Sequence, residues 1–228
     1  MPSEIRTINL GFVNCHLVKT GDGFILVDTG IRSSRTDLEK ALLNAGCQPG
    51  NLKLIILTHG DIDHTSNGAY LRQKYTTSIA MHRSDSGMVE SGEMGPKRKV
   101  KSLFLRVMHV VMRISGGNRK MSAGFDRFTP DIYLEEGQSL KEYGFDATVL
   151  HLPGHTKGSI AILADNGDLI SGDILENRGR PRPTTIVDDE AELAASLERL
   201  SKPGITTVYP EHGKPFAWEQ FANKPNNA

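Results

Sequence analysis

Four side chains that can bind a metal ion occur within six consecutive residues of the sequence. They directly follow a short apolar run at 52–57 that is typical of a buried β-strand. A single histidine after a strand is usually structural. Several titratable groups at the mouth of a buried strand need costly desolvation unless a cation holds them. The cluster therefore predicts a metal site, and its members are His59, Asp61, Asp63 and His64.

Three further candidate ligands follow predicted strands in the second half of the chain. A small or rigid residue precedes each of them, so the main chain can turn tightly and bring the ligand close to its neighbours. These pairs are Gly154 with His155, Gly172 with Asp173, and Pro210 with His212. Turns of this kind can supply the ligands that the 59–64 loop alone does not provide.

The segments around these residues alternate between predicted strands and predicted helices. Glycine-containing turns at 21–23 and 165–168 each indicate a hairpin. Strands are predicted at 14–19, 24–28, 52–57, 78–81, 145–152, 159–164 and 205–209. Three helices are predicted: one at 34–45, one that ends at about residue 75, and one at 189–200 with Asp188 or Asp189 as N-cap. Two strand-rich halves, each followed by helices, predict an α/β (α+β) fold in which two sheets pack together with helices outside.

The segment 83–130 differs from both halves and is predicted to be a helical insert. Its central run, 97–115, has apolar residues at helical spacing and basic residues on the opposite face. Phe104 and Met108 lie on the apolar side, where they would contact a substrate if this helix covers the metal site. Three roles stay open for the helix: a lid, a part of the core or of a homodimer interface, or a membrane-surface contact.

The amino-acid composition argues against several classes of function. The 228 residues carry 27 basic and 27 acidic side chains, and this zero net charge argues against a nucleic-acid-binding surface. No apolar run is long enough for a membrane span, and the first residues lack the apolar core of a signal peptide. With only Cys15 and Cys47, no disulfide framework and no cysteine-rich zinc site are expected. We therefore expect one cytoplasmic domain over 1–228 that acts on a small molecule, without membrane association.

Taken together, the motifs resemble the metallo-β-lactamase superfamily of metal-dependent hydrolases. The family pattern runs from LxDTG through HxHxDH, PGHT and a Gly-Asp pair to a final histidine in a GHG-like turn, and this chain has them in that order, beginning with Asp28 in LVDTG. The resemblance implies a four-layer αβ/βα sandwich of two mixed β-sheets. It implies that Asp28 orients ligands without binding metal. It assigns His59, Asp61 and His155 to a first ion, Asp63, His64 and His212 to a second, and Asp173 to both.

One position departs from the family pattern. Asp61 stands where the family has its second histidine, so the motif is an HxDxDH variant. A carboxylate is still a good ligand, but it makes the site less positive and should raise the pKa of a bound water. The harder oxygen ligand also moves the preference from zinc toward iron or manganese. The expected cofactor is a pair of divalent ions, Zn²⁺ first, with Fe or Mn as the alternatives that Asp61 favours.

Such a site predicts hydrolysis. Two ions about 3.5–4 Å apart can hold one hydroxide between them as a nucleophile. In the pattern of the family that this chain resembles, Asp63 lies beside the bridging position, which makes it the catalytic candidate that orients this hydroxide and carries a proton to the leaving group. The expected function is a dinuclear hydrolase of an ester, lactone or thioester carbonyl, with acyl-chain substrates suggested by the apolar helix. The alternatives are phosphodiesterase or lactamase activity on the same site, an iron-dependent oxidoreductase, and a non-catalytic metal-binding protein.

The remaining histidines carry weaker functional predictions. His82 follows a predicted strand and is a candidate substrate contact at the rim of the site, together with Phe104 and Met108. His16 and His151 lie in predicted strands, where structural roles are expected. His109 is expected to be solvated on the polar face of the 97–115 helix.

Overall fold

The described part of the chain alternates between strands and helices. The computed structural model describes residues 4–92, 99–100, 125–201 and 204–223. Its strands are β1 Glu4–Asn9, β2 Asn14–Lys19, β3 Phe24–Val27, β4 Leu52–Ile56, β5 Ser78–His82, β6 Lys99–Val100, β7 Ile132–Leu134, β8 Ala147–His151, β9 Ile160–Ala164, β10 Asp168–Ile170, β11 Leu175–Glu176, β12 Arg182–Pro183, β13 Ile186–Val187, β14 Thr207–Tyr209 and β15 Phe216–Ala217. Its α-helices are α1 Arg35–Asn44, α2 Ile62–Thr65, α3 Gly68–Tyr75, α4 Arg83–Ser91, α5 Glu190–Leu200 and α6 Glu219–Ala222.

Two mixed sheets contain most of these strands. The first has the order β1-β2-β3-β4-β5-β7, and its last four strands run parallel to one another. The second has the order β15-β14-β10-β9-β8, in which β14 is parallel to β10 and the other pairings are antiparallel. In the second sheet β8, β10 and β14 therefore run in one direction, so the turns that follow them leave the sheet at the same edge.

The buried apolar side chains form three hydrophobic clusters. Successive residues of a strand point to opposite faces of the sheet, so neighbouring residues belong to different clusters. Leu26 and Ile55 of the first sheet pack in a cluster with α1 and α3. Their neighbours Ile25 and Ile56 pack in a second cluster with strands of the second sheet. The far face of the second sheet packs against α5 in a third cluster. The layers run helix, sheet, sheet, helix, which confirms the four-layer αβ/βα sandwich.

Most predicted elements are present within a few residues of their expected bounds. The N-cap of α5 is Asp189, whose Oδ1 accepts hydrogen bonds from the main-chain N–H groups of Ala191 at 2.8 Å and Glu192 at 3.0 Å. This cap satisfies two donors at the helix start, and the acidic residues in the first turn favour the positive end of the helix dipole. No helix among the described residues is long and apolar enough to cross a lipid bilayer.

The predicted 97–115 helix is wrong at Lys99–Val100. These two residues form β6, which pairs antiparallel with β13 so that Val100 lies opposite Ile186. A neighbouring strand offers main-chain hydrogen bonds there, and this tertiary pairing outweighs the local helical pattern. The rest of 97–115, including Phe104, Met108 and His109, lies outside the described residues, as do the roles predicted for that segment.

Candidate metal centre

The candidate ligands lie in loops that follow strands of both sheets. The first sheet supplies the loop 58–64 directly after β4, where four of the candidate ligands follow one another. The second sheet supplies three single ligands from the turns after β8, β10 and β14. Because these three strands run in one direction, their turns meet the 58–64 loop at one edge of the sandwich. The two halves of the chain thus meet at a shared group of histidines and aspartates.

The first group of ligand atoms surrounds Nε2 of His155. This nitrogen lies 3.3 Å from Nε2 of His59, 3.2 Å from Oδ2 of Asp61 and 3.7 Å from Oδ2 of Asp173. Nitrogen and oxygen ligands bind zinc at about 2.0–2.2 Å, so two ligands in a tetrahedral site lie about 3.4 Å apart. The observed separations from Nε2 of His155 are close to that spacing. One ligand atom from each of His59, His155 and Asp173 lies within 4.8 Å of the others, and Oδ2 of Asp61 contacts the two histidines of this group.

The second group lies on the other side of Asp173. Nε2 of His212 is 3.3 Å from Oδ2 of Asp173 and 3.5 Å from Oδ2 of Asp63. Nε2 of His64 is 3.7 Å from Oδ2 of Asp63 and 3.6 Å from Oδ1 of Asp173. Asp173 contacts histidines of both groups, so its carboxylate is in position to be shared by two ions.

The four histidines of the two groups are oriented by hydrogen bonds at their other ring nitrogen. The main-chain carbonyls of Ile186 and Phe12 accept from Nδ1 of His155 at 2.7 Å and from Nδ1 of His212 at 2.9 Å. These bonds place the proton on Nδ1 and leave the lone pair of Nε2 available to bind a metal ion. The remaining two contacts join Nδ1 of His64 to Oδ2 of Asp28 at 2.8 Å and Nδ1 of His59 to Oγ1 of Thr58 at 3.0 Å.

Asp28 anchors the loop 58–64 from the end of β3. It is fully buried and adopts a positive φ of 60°, which is uncommon for a residue other than glycine. Its carboxylate accepts hydrogen bonds from the main-chain N–H of Thr58 at 2.8 Å, from the Thr58 hydroxyl at 2.7 Å and from Nδ1 of His64. These bonds hold the strained backbone in place, and they are the contacts expected of a carboxylate that orients metal ligands.

The charges of the site favour a cation at its centre. Burial acts to lower the pKa of the His212 imidazole, but the carboxylates of Asp173 and Asp63 raise it to about 10. His64 behaves in the same way: burial opposes its protonation, and the neighbouring carboxylates still raise its pKa well above the ordinary value. Burial acts to raise the pKa of Asp173, whereas His212 and His64 lower it well below the usual range. The pocket is therefore built for positive charge, which bound metal can supply in place of protons.

Two buried polar atoms test whether these residues fit a metal. Nε2 of His64 and Oδ1 of Asp173 are buried and have no hydrogen-bond partner. Burying such atoms without a partner is unfavourable, and metal coordination is the interaction that would satisfy both. The donor set, four imidazole nitrogens and three carboxylates, suits Zn²⁺, Fe or Mn.

The predicted substrate contact His82 lies at the end of β5, away from these ligand contacts. Its Nδ1 accepts a hydrogen bond from the main-chain N–H of Ser84 at 3.2 Å and caps α4. Its ring stacks on His151 with centroids 3.9 Å apart and an interplanar angle of 11°. Burial and His151 lower the pKa of His82, which favours the neutral ring that the cap requires.

Several residues that shape the site were missed by the sequence analysis. Ile186 and Phe12 act through their carbonyls, which no side-chain pattern reveals. Thr58 precedes His59 directly, so its position beside the ligand loop is the one available signal. Glu211, next to His212, is fully buried without a hydrogen bond to either side-chain oxygen, and burial and Asp28 raise its pKa well above the ordinary value.

A family comparison agrees with this geometry. The model of the metallo-beta-lactamase superfamily matches residues 8–212, so the chain belongs to that superfamily. The resemblance inferred from the motifs is thereby confirmed, as is the expectation of a metallo-hydrolase.

Three individual proteins are similar to this chain over most of its length. Hydroxyacylglutathione hydrolase GloC of Haemophilus influenzae is 31% identical over 149 residues, which cover 64% of this chain and 61% of that protein. Acyl-coenzyme A thioesterase MBLAC2 of Bos taurus is 28% identical over 94% of this chain and 77% of its own length. The crystal structure of TTHA1623 in a di-iron-bound form is 27% identical, covers 98% of both chains and has a TM-score of 0.67.

Proposed function

We propose that this protein is a dinuclear metal-dependent hydrolase that cleaves a thioester carbonyl, with esters and lactones as related substrates. The observation that carries the proposal is the pair of ligand groups that share Asp173. One ligand atom from each of His59, His155 and Asp173 lies within 4.8 Å of the others, and the same holds for Asp63, His64 and His212. Asp61 joins the first group through its contact with His155.

Two divalent ions in such groups polarise a carbonyl oxygen and activate a water molecule near neutral pH. The protein's own contribution is to orient the ligands and to move a proton. Asp63 is the candidate for proton movement, because its side chain is 18% exposed whereas His64 is fully buried. The carboxylate oxygen of Asp63 that would not coordinate an ion can accept a proton from the attacking water and pass it to the leaving group.

We propose two zinc ions as the metal pair, and iron and manganese as the alternatives that the loading experiment compares with zinc. The four histidine nitrogens suit zinc, whereas the oxygen of Asp61 replaces a nitrogen ligand of the usual family motif and favours a harder ion. The di-iron form of TTHA1623 supports including iron in the test.

The substrate class rests on two observations. The relatives GloC and MBLAC2 are named as a hydroxyacylglutathione hydrolase and an acyl-coenzyme A thioesterase, and acyl-glutathione and acyl-coenzyme A are both thioesters with anionic carriers. Beside the second group, the ring of Phe12 is 51% exposed and contacts the His212 ring edge-on at 5.2 Å. The guanidinium of Arg178 lies 4.7 Å from the centre of the Phe12 ring. An apolar surface beside a cation suits an acyl thioester that carries negative charge.

The proposal is tested on protein loaded separately with Zn²⁺, Fe²⁺ and Mn²⁺. Metal content is measured for each sample, which is then assayed with acyl-glutathione, acyl-coenzyme A, an uncharged thioester, a lactone and an aryl ester. We expect two ions per chain and fastest hydrolysis of the charged thioesters. Asp63→Asn should lower kcat by about 10²–10⁴-fold, the usual contribution of a general acid–base group.

A matched variant and two outcomes decide the proposal. Asp22 lies in the exposed turn between β2 and β3 and pairs only loosely with Lys53, at 3.9 Å, so Asp22→Asn should keep the activity of the unmodified protein. One ion per chain at full loading would overturn the dinuclear site. Two ions without hydrolysis of any substrate in the panel would overturn the hydrolase.

A further inference from the structure

Asp85 in the first turn of α4 connects two loops that carry metal ligands. Its side chain is buried, and the residue is 2% exposed. Oδ2 accepts a hydrogen bond from the main-chain N–H of Gly60 at 3.0 Å, and Oδ1 accepts one from Gly158 at 2.7 Å. Gly60 lies between His59 and Asp61. One carboxylate thus holds the loop after β4 of the first sheet and the loop after β8 of the second.

The main chain at both glycines packs so closely against α4 that there is no room for a side chain at either position. A Cβ atom at Gly158 would lie 2.7 Å from Cγ of Asp85 and 2.8 Å from its main-chain nitrogen. A Cβ atom at Gly60 would lie 2.7 Å from Sδ of Met88, one turn further along α4. Real Cβ atoms do not approach so closely, so the position of α4 fixes the position of both loops.

The start of α4 is itself fixed. His82 ends β5 and caps the helix through its hydrogen bond from Ser84, so the helix begins at a defined point beside the first sheet. Each oxygen of Asp85 accepts a hydrogen bond from a main-chain donor, and Asp85 belongs to neither of the two groups of candidate ligand atoms. Its effect on the site therefore passes through the two loops.

We propose that Asp85 is a positioning residue that sets the geometry of the first ion's ligands, His59, Asp61 and His155, across the two sheets. The inference rests on the proposed dinuclear site. The second group has its own anchors, because Asp28 holds His64 and the Phe12 carbonyl holds His212. Loss of the Asp85 contacts should therefore weaken the first ion selectively.

The variant Asp85→Asn tests this, since asparagine has the same shape but only one oxygen acceptor. Its amide group must then face one of the two N–H donors, and one loop loses its hydrogen bond. We expect the dissociation constant of the first ion to rise about 10–100-fold, as for other groups that orient metal ligands, and that of the second to change less than about threefold. Competition with a chromophoric chelator measures both constants, and the visible spectrum of the Co²⁺ protein reports the geometry of each ion.

The two ions are distinguished by repeating the titration in a His212→Ala background, in which the second group lacks a ligand. The ion that this variant still binds then reports the affinity of the first group. Asp131→Asn is the matched control: Oδ2 of Asp131 accepts a hydrogen bond from the main-chain N–H of Ile79 at 2.8 Å, far along the chain from the ligands. This control should lower stability without changing either metal constant. If Asp85→Asn does not fold, Gly158→Ala displaces the same contact and should show the same selective loss.

Equal weakening of both ions, or an unchanged first ion in a folded Asp85→Asn variant, would overturn the positioning role. Failure of the proposed function gives a different result, because the unmodified protein would then bind fewer than two ions or hydrolyse nothing. The two failures are therefore separable within one set of samples.

Discussion

Asp28 shows at the scale of a single residue how the site depends on groups that do not touch the metal. One carboxylate binds the main chain and the hydroxyl of Thr58 and also Nδ1 of His64. An asparagine tolerates positive φ nearly as well as aspartate, so Asp28→Asn changes the hydrogen bonding without new backbone strain. The variant therefore isolates the chemistry of the side chain.

We predict that Asp28→Asn lowers metal affinity about 10–100-fold. The amide must place its NH₂ group either against the main-chain N–H of Thr58, which faces Oδ1, or against the Thr58 hydroxyl and Nδ1 of His64, which both face Oδ2. One side therefore loses its acceptor. Isothermal titration with Zn²⁺ measures the change. Asp165→Asn, at a 61% exposed side chain paired with Lys141, is the control and should bind normally. An Asp28→Asn protein that binds both ions as tightly as the control would contradict the prediction.

Most of the ligand set could be predicted because its members are polar side chains placed directly after apolar strands. The seven residues from His59 to His212 stand out for that reason, and Asp28 stands out through its LVDTG motif. Asp85 could not be found in the same way, since its partners are main-chain N–H groups at 60 and 158. Those contacts depend on how α4 packs, which no local pattern specifies.

At the scale of elements, the turn before His155 depends on glycine. Gly154 has φ 131°, and a Cβ atom there would lie 2.4 Å from the main-chain nitrogen and Cα of Leu193 in α5. The helix therefore packs directly onto the turn that presents a metal ligand. Gly179 has a similar φ of 118° but open space around its Cα, so the two positions differ in packing rather than in backbone conformation.

We predict that Gly154→Ala destabilises the protein by at least about 2 kcal/mol more than Gly179→Ala. Both variants carry the cost of a positive φ, which is about 1 kcal/mol or more, and only Gly154→Ala adds a clash with a helix backbone that cannot move freely. Urea unfolding of the metal-free proteins measures the difference. Equal losses in the two variants would show that the contact with α5 is unimportant.

The strands and helices with strong periodicity were predictable, and so was the two-sheet arrangement that follows from their order. β6 was not, because its partner among the described residues is the two-residue strand β13, more than 80 positions away. Pairing between such short and distant segments depends on the assembled sandwich. The helical pattern of 97–115 carries no sign of it.

At the scale of the whole molecule, the candidate metal site contains residues from the loops of both sheets. The loop after β4 and the turns after β8, β10 and β14 belong to different sheets, and ions bound between them stabilise the folded state over the unfolded one. An ion present at 100 times its dissociation constant adds about 2.7 kcal/mol, provided that it does not bind the unfolded chain.

We therefore predict that removal of both ions with a chelator lowers Tm by at least about 10 °C, since 1 kcal/mol corresponds to about 2–4 °C for a chain of this size. Differential scanning calorimetry of the loaded and stripped protein checks this. Asp173→Ala removes the shared ligand, so its Tm should respond much less to the chelator. Identical transitions for the loaded and stripped forms of the unmodified protein would contradict a metal site that spans the sheets.

Because the candidate ligands are divided between the two sheets, their order along the chain affects the stage of folding at which the protein could bind a particular metal. The loop at 59–64 is synthesised long before His155, Asp173 and His212, so the emerging chain carries only part of the proposed ligand set. A preformed metal site rarely exists before folding, so metal binding is coupled to the folding of the chain. On the proposed assignment the full set of ligands exists only after the second sheet has docked, so the finished protein and the ions around it at that time would determine which metal it holds.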